Sequence, residues 1–240
     1  MSQNYVILTM DQDWCHTSVL EETINIFESL KLPATVFVTD FTQKWSSTEN
    51  LEWGVHPNFA PDSTQGLSVE AIILKADSSV ENCTSWRSHS LFTSTKILDE
   101  VSRLTDWKIE NNFYSPKATK INYDIFPGTS ITRIPLHWED DLELRGKVTA
   151  VDYLRSTYPE SNSVVVFNFH PIHLILNSES MQTYNSLKVK QQLNRPINFY
   201  QDYRNSNSMG IKNQLLDLVD FLQNDGKLQI ITLKDLLAYL

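Results

Sequence analysis

Several features that assign a chain to a class at sight are scarce here. Two cysteines, Cys15 and Cys83, are too few for the disulfide framework of a small secreted scaffold, and both read as structural thiols. Long apolar runs are missing: nothing approaches the ~20 apolar residues of a membrane span, and Ser2-Gln3-Asn4 leads into no signal-peptide core. Cytoplasm is the expected location. Positive charge is also in short supply. A net charge of −9 argues against an electrostatic grip on nucleic acid or anionic membranes. There is no internal repeat, low-complexity tail or domain linker. At 240 residues, with 41% hydrophobic and 20% charged residues, the chain suits one domain around one large core.

What is present alternates between two periods. Tyr5–Met10, Ala34–Thr39, Leu51–Val55, Ser85–Arg87, Trp107–Glu110, Ile131–Leu136, Val164–Phe169 and Leu228–Ile231 read as strands. Helical spacing separates many of them, over Thr17–Leu30, Ser68–Ala76, the stretch after Ser94, Val148–Tyr158, Ile211–Gln223 and Leu233–Leu240. Ser94 is an expected N-cap, and Pro127-Gly128 an expected turn. Ile172–Met209 is polar and aperiodic, and reads as a long excursion. Strands alternating with helices imply βαβ units and a parallel sheet, here a distorted, TIM-like (β/α) barrel of about seven strands. Such a barrel gathers the C-terminal ends of its strands into one mouth.

Six histidines occur, and His56, His89 and His170 each end a strand-like run. Asp11-Gln12-Asp13 ends the first run; in extended chain both carboxylates point the same way, so one could bind a metal while the other takes a proton. An aspartate there equally well caps the next helix. In Trp86-Arg87-Ser88-His89 a guanidinium able to orient a carboxylate lies two residues from an imidazole, although an arginine in isolation more often makes a surface ion pair. Trp138-Glu139-Asp140-Asp141 pairs an indole that could stack on a sugar with an acidic run that would otherwise be a solvated loop. Asn168 and His170 point the same way from the strongest strand, and His170 suits general acid work. His173 reads as an ordinary loop residue.

In this order, these residues resemble the polysaccharide deacetylase (NodB-homology) superfamily over nearly the whole chain. The resemblance implies a distorted (β/α) barrel with Asp11 as base, Asp13 and His56 as metal ligands, Arg87 orienting Asp11, and His170 as acid. Trp138, Asp140 and Asp141 match the acidic and aromatic motif in place and are expected at the substrate, with Asp140 or Asp141 holding Arg87 or His170. Two departures stand out: Ala60 occupies the position of the usual second metal histidine, and Trp14 replaces the usual glycine. His89 is the expected substitute ligand, from its place at the next strand end. Both changes resemble divergent members associated with surface-polysaccharide and O-antigen biosynthesis. The implied activity is removal of an N-acyl group from an amino sugar, with a divalent metal, zinc foremost, and a carbohydrate or sugar-nucleotide substrate. Two other classes remain open: a non-catalytic carbohydrate-binding relative, and a metal-dependent amidohydrolase acting on a small nucleotide-linked amide.

Overall fold

In the computed structural model, which describes residues 4–116, 124–146, 148–157 and 163–239, the first strand organises the rest. β1 (Asn4–Asp11) leads into α1 (Thr17–Ser29), β2 (Ala34–Val38) and β3 (Leu51–Val55). Then come α2 (Val69–Ser79), β4 (Ser85–Trp86), α3 (Thr95–Leu104) and β5 (Ile109–Glu110). Ser68 and Ser94 cap α2 and α3, each accepting the third helical N–H, so both helices start where a hydroxyl replaces a missing carbonyl. β6 (Asp124–Ile125) and β7 (Thr132–Arg133) form an antiparallel hairpin. Pro127-Gly128 makes its turn: Gly128 has φ 79°, and the Thr129 N–H reaches the Phe126 carbonyl at 3.1 Å. That is the geometry in which proline precedes glycine in a type II turn.

β8 (Trp138–Glu139), α4 (Asp140–Gly146), α5 (Ala150–Ser156) and β9 (Val164–Phe169) follow. The chain ends with α6 (Pro171–Leu176), α7 (Met181–Val189), α8 (Ile211–Asp225), β10 (Leu228–Ile231) and α9 (Leu233–Leu236). The expected helix ends at Tyr158 and Leu240 lie outside the described residues.

Among the described residues, all strand pairings except β6 with β7 are parallel. β1 is central, paired with β9 along its length, with β10 at its start and with β2 at its end. The sheet curls because the run from β7 to β8 changes partners. Ile134 and Leu136 bond back to Glu110 and Phe113, whereas the His137 N–H reaches Val166 and β8 pairs with β9. A distorted (β/α) barrel results, as the alternation of elements implies.

Two apolar layers result from the strand alternation. Val6, Leu8, Met10, Val36, Trp86, Phe167 and Phe169 face outward, under the helices. Ile7, Phe37, Ile109, Ile134, Leu136 and Val166 face inward and fill the barrel with Leu233 and Leu236 of α9. Fully burying each such side chain contributes roughly 1.5–3 kcal/mol. Gly54 permits close contact between neighbours: a Cβ there would lie 2.6 Å from the Ser85 carbonyl and 2.8 Å from the Phe37 ring.

The Ile172–Met209 stretch differs from its expected form. It is folded into α6, α7 and a 3-10 turn over Ile197–Tyr203. α7 buries only Leu187, which is why no hydrophobic period marks it in the sequence.

Candidate active site

Above the apolar interior the inward positions turn polar, one layer at a time. Thr9 on β1, Asn168 on β9, and Arg87 and Asn111 just past β4 and β5 form the first polar layer. Arg87 is wholly buried over the Phe37 ring, and its donors are fully engaged. Nη1 donates to Asp11 Oδ1 at 2.9 Å and Asn168 Oδ1 at 2.6 Å; Nη2 donates to Thr9 Oγ1 at 2.9 Å and to Asn111. Asn168 Nδ2 donates to the other Asp11 oxygen at 2.9 Å. Asp11 is thus fixed at both oxygens. The structure resolves which partner Arg87 has: it is Asp11, and neither Asp140 nor Asp141.

The next layer is the mouth. Asp13 Oδ1 lies 3.2 Å from His56 Nε2 and 3.0 Å from His89 Nδ1, and Asp13 Oδ2 lies 3.5 Å from His170 Nε2. Asp13, His56 and His89 each offer a ligand atom, all within 4.8 Å of one another, so they could hold a metal ion. Burial alone would raise the Asp13 carboxyl, but hydrogen bonds from His56 and His89 outweigh it and hold the group well below the usual carboxylate range. Desolvation lowers His89, and its bond to Asp13 more than reverses this, raising it.

Two short loops carry these ligands in unusual backbone. Asp13 and Trp14 have φ of 44° and 55°, and Ser90 and Leu91 have φ of 57° and 53°. Left-handed conformations cost L residues roughly 1–2 kcal/mol each, least for aspartate. Local bonds hold them: the Trp14 N–H reaches Thr39 Oγ1 at 3.0 Å, and Gln12 Oε1 accepts from the Thr39 N–H at 2.8 Å. The His89 N–H reaches the Pro57 carbonyl at 2.9 Å, which ties the His89 loop to the one following His56. Trp14 therefore sits where glycine would be unstrained, and its indole packs edge-on against His89 at 4.8 Å between centroids. Trp14, one of the two departures noted in the sequence, is thus in contact with His89, the residue expected to compensate for the other.

His170 ends β9 and caps α6, with Pro171 starting the helix at once. Asp140, fully buried, takes the His170 backbone N–H at 2.8 Å and Nδ1 at 2.6 Å. A carboxylate only accepts, so Nδ1 carries the hydrogen and Nε2 faces the cavity. Burial lowers the His170 pKa, but Asp140 more than compensates and leaves it well above the ordinary imidazole value. Asp141 instead bonds His173 Nε2 at 2.6 Å; burial raises Asp141, this bond lowers it further, and it falls to about 2. His173 is no loop residue: it is buried in α6 and also contacts Ser178 Oγ at 2.9 Å.

A cavity of about 440 Å³ opens over this floor, lined among others by Asp11, Asp13, His56, His89, Glu139 and His170. Asp141 also lines it, but Trp138 does not. Its ring is buried against Phe167 and Phe169, with Nε1 donating to the Val148 carbonyl at 3.1 Å. The sugar-stacking role expected of Trp138 has no exposed face to support it. Glu139 takes the inward position instead. Burial pushes its carboxyl up to about 7, the Asp11 charge adds to this, and His170 partly opposes it.

The sequence alone cannot reveal this exchange, because the inward parity shifts at His137. There the Val166 N–H donates to His137 Nδ1 at 3.1 Å in place of a carbonyl. Asn111 was also missed; it follows a strand of only two residues.

A model of WbmS-like polysaccharide deacetylases matches residues 8–188. Among solved structures, one assigned as a polysaccharide deacetylase involved in O-antigen biosynthesis, WbmS of Bordetella bronchiseptica, superposes with TM-score 0.76 and 27% identity. The alignment covers 92% of this chain and 91% of that one. A CE4 family pseudoenzyme from Bacillus anthracis gives TM-score 0.46 at 11% identity, over 98% of this chain and 66% of that one. No curated protein matches. Barrel, strand-end residues and sequence match together place the chain in the WbmS-like polysaccharide deacetylase family.

Proposed function

We propose that the protein is a metal-dependent hydrolase that removes an N-acyl group, acetyl foremost, from an amino sugar of a surface polysaccharide or its precursor. The carrying observation is the convergence of Asp13, His56 and His89 beside a doubly fixed Asp11 and a clamped His170. One carboxylate and two imidazoles suit zinc, and an ionised Asp13 in a buried site is the charge such an ion needs. Among the described residues, the buried His56 Nδ1 has no hydrogen-bond partner and lies 3.7 Å from Asp11, leaving Nε2 as the ligating atom. When bound, the ion would supply Lewis acidity toward the acyl carbonyl and the attacking water.

The chain's own groups supply the proton transfers. Asp11 accepts the proton from water as its oxygen bonds to the acyl carbon; Arg87 and Asn168 keep the carboxylate in line for this. His170 donates its Nε2 proton to the departing amine as the C–N bond breaks, giving a free amino sugar and a carboxylate product. Its raised pKa keeps that proton in place at neutral pH. Glu139, with its carboxyl near 7, adds only part of a negative charge beside Asp11.

Acetate release from a panel of N-acetyl amino sugars, free and nucleotide-linked, tests this, with metal content measured alongside. Asp11→Asn is expected to lower turnover on the order of 10²–10⁴-fold while the metal stays bound. Unchanged turnover in that variant contradicts the assignment, and absence of turnover with absence of metal favours a carbohydrate-binding protein.

A further inference from the structure

We propose that Arg145 and Lys188 form an anion subsite at the rim of the candidate active site, one that takes the phosphoryl group of a phosphorylated amino sugar. The proposal rests on the deacylase reading for the sugar and adds the anion to it. Arg145 lies in the last turn of α4 and Lys188 in the last turn of α7, on two helices that pack together. Both side chains line the cavity floored by Asp11, Asp13 and His170, and among the described residues they are the only Lys or Arg side chains that do.

Several arginines are held in ion pairs: Arg103 with Glu100 at 2.6 Å, Arg133 with Glu110 at 2.7 Å, and Arg87 with Asp11. Among the described residues, neither Arg145 nor Lys188 has an ion-pair partner. Lys188 Nζ instead lies 5.7 Å from the centroid of the Tyr184 ring, itself part of the cavity wall.

Charge distribution then sets the ligand's direction. Asp11, Asp13, Glu139 and Asp141 place acidic groups around the cavity, and outside the His56, His89 and His170 cluster its positive charge lies at the two rim cations. A sugar anchored there by its anion has its N-acyl group directed toward His170 and Asp11. Two cations match a doubly charged phosphate monoester better than a carboxylate, and the arginine fork suits phosphoryl oxygens. In a protein of net charge −9, such a patch is poorly explained as general surface charge.

Calorimetric binding to the protein as purified tests the subsite with four probes: N-acetylglucosamine, its 1-phosphate, the uridine-diphosphate-linked sugar, and glucuronic acid. The 1-phosphate is expected to bind at least about tenfold tighter than the neutral sugar. The double variant Arg145→Gln/Lys188→Gln should erase that preference while leaving neutral-sugar affinity unchanged. Both side chains are exposed, so the fold is not at risk. Persistence of the preference in the double variant, or no preference in the wild type, overturns the subsite. Equal binding of glucuronic acid overturns the phosphoryl assignment. Tighter binding of the diphosphate-linked sugar than of the 1-phosphate supports the subsite with a nucleotide-linked source; equal binding supports it with a sugar phosphate. The deacylase reading fails separately, by absence of acetate release while the phosphate preference persists.

Discussion

Glu52 on β3 and His56 just past its end are four positions apart, and the barrel treats them in opposite ways. At the floor, Glu52 accepts from Ser85 Oγ at 2.6 Å, Thr35 Oγ1 at 2.7 Å and the Lys234 N–H at 2.8 Å. α9 covers it and supplies the third of these donors from its own backbone. At the mouth, His56 presents Nε2 to a carboxylate that two further imidazoles also approach, and open space lies above. The lesson concerns saturation. A buried polar group whose partners are neutral and complete holds structure together, whereas like donors converging on one ionised carboxylate form a site awaiting a cation.

Variants can break or sharpen this contrast. After Asp11→Asn, the largest effect is expected at His170. His170→Gln should lower turnover on the order of 10²-fold or more, since the leaving amine loses its proton source. Asp140→Asn should act through His170. Burial lowers the His170 pKa and the Asp140 charge raises it, so removing that charge lowers it, and the alkaline fall in turnover moves to lower pH. An unmoved alkaline limb in a pH–rate profile would deny Asp140 its positioning role. Trp138→Ala comes next: loss of a wholly buried indole should cost about 3–5 kcal/mol in chemical denaturation. Residual folded protein should keep its substrate affinity, because the ring does not line the cavity; a raised KM with unchanged stability would return Trp138 to the substrate.

The smallest effect belongs to the floor. Glu52→Gln should cost about 1–3 kcal/mol, as an amide N–H₂ meets donors in place of an acceptor, with turnover unchanged. Burial raises the Glu52 carboxyl against the three hydrogen bonds that lower it. An acid with a raised folded-state pKa binds its proton more tightly when folded. Its contribution is therefore present at low pH and is lost as pH climbs from the ordinary value through the raised one. The wild type should lose melting temperature over that interval relative to Glu52→Gln.

The amount legible in the sequence followed the length of the strands. β1, β3 and β9 are long enough for alternation to set which side chains face inward, and Asp11, His56, Asn168 and His170 were readable from it, whereas Asp13 lies past β1 in left-handed backbone that alternation does not describe. Ser94 declared its helix through capping. β5 and β8 have two residues each, and there the pattern fails. Asn111 and Glu139 were hidden, and Trp138 was placed on the wrong face, because a partner change at His137 resets the parity. α6 and α7 looked like loop for a different reason: α6 buries all six of its residues and α7 only Leu187, so neither shows a stripe.

The contrast between floor and mouth comes down to whether Asp13, His56 and His89 hold a cation together. Zinc titration of chelator-stripped wild type and His89→Ala is the most direct test, because His89 alone of the three departs from the family pattern. One equivalent should bind the wild type, and affinity should fall at least about tenfold in the variant, with Glu52→Gln as an unaffected control. Equal affinity in wild type and His89→Ala, or no zinc bound by the wild type, would contradict the site as described.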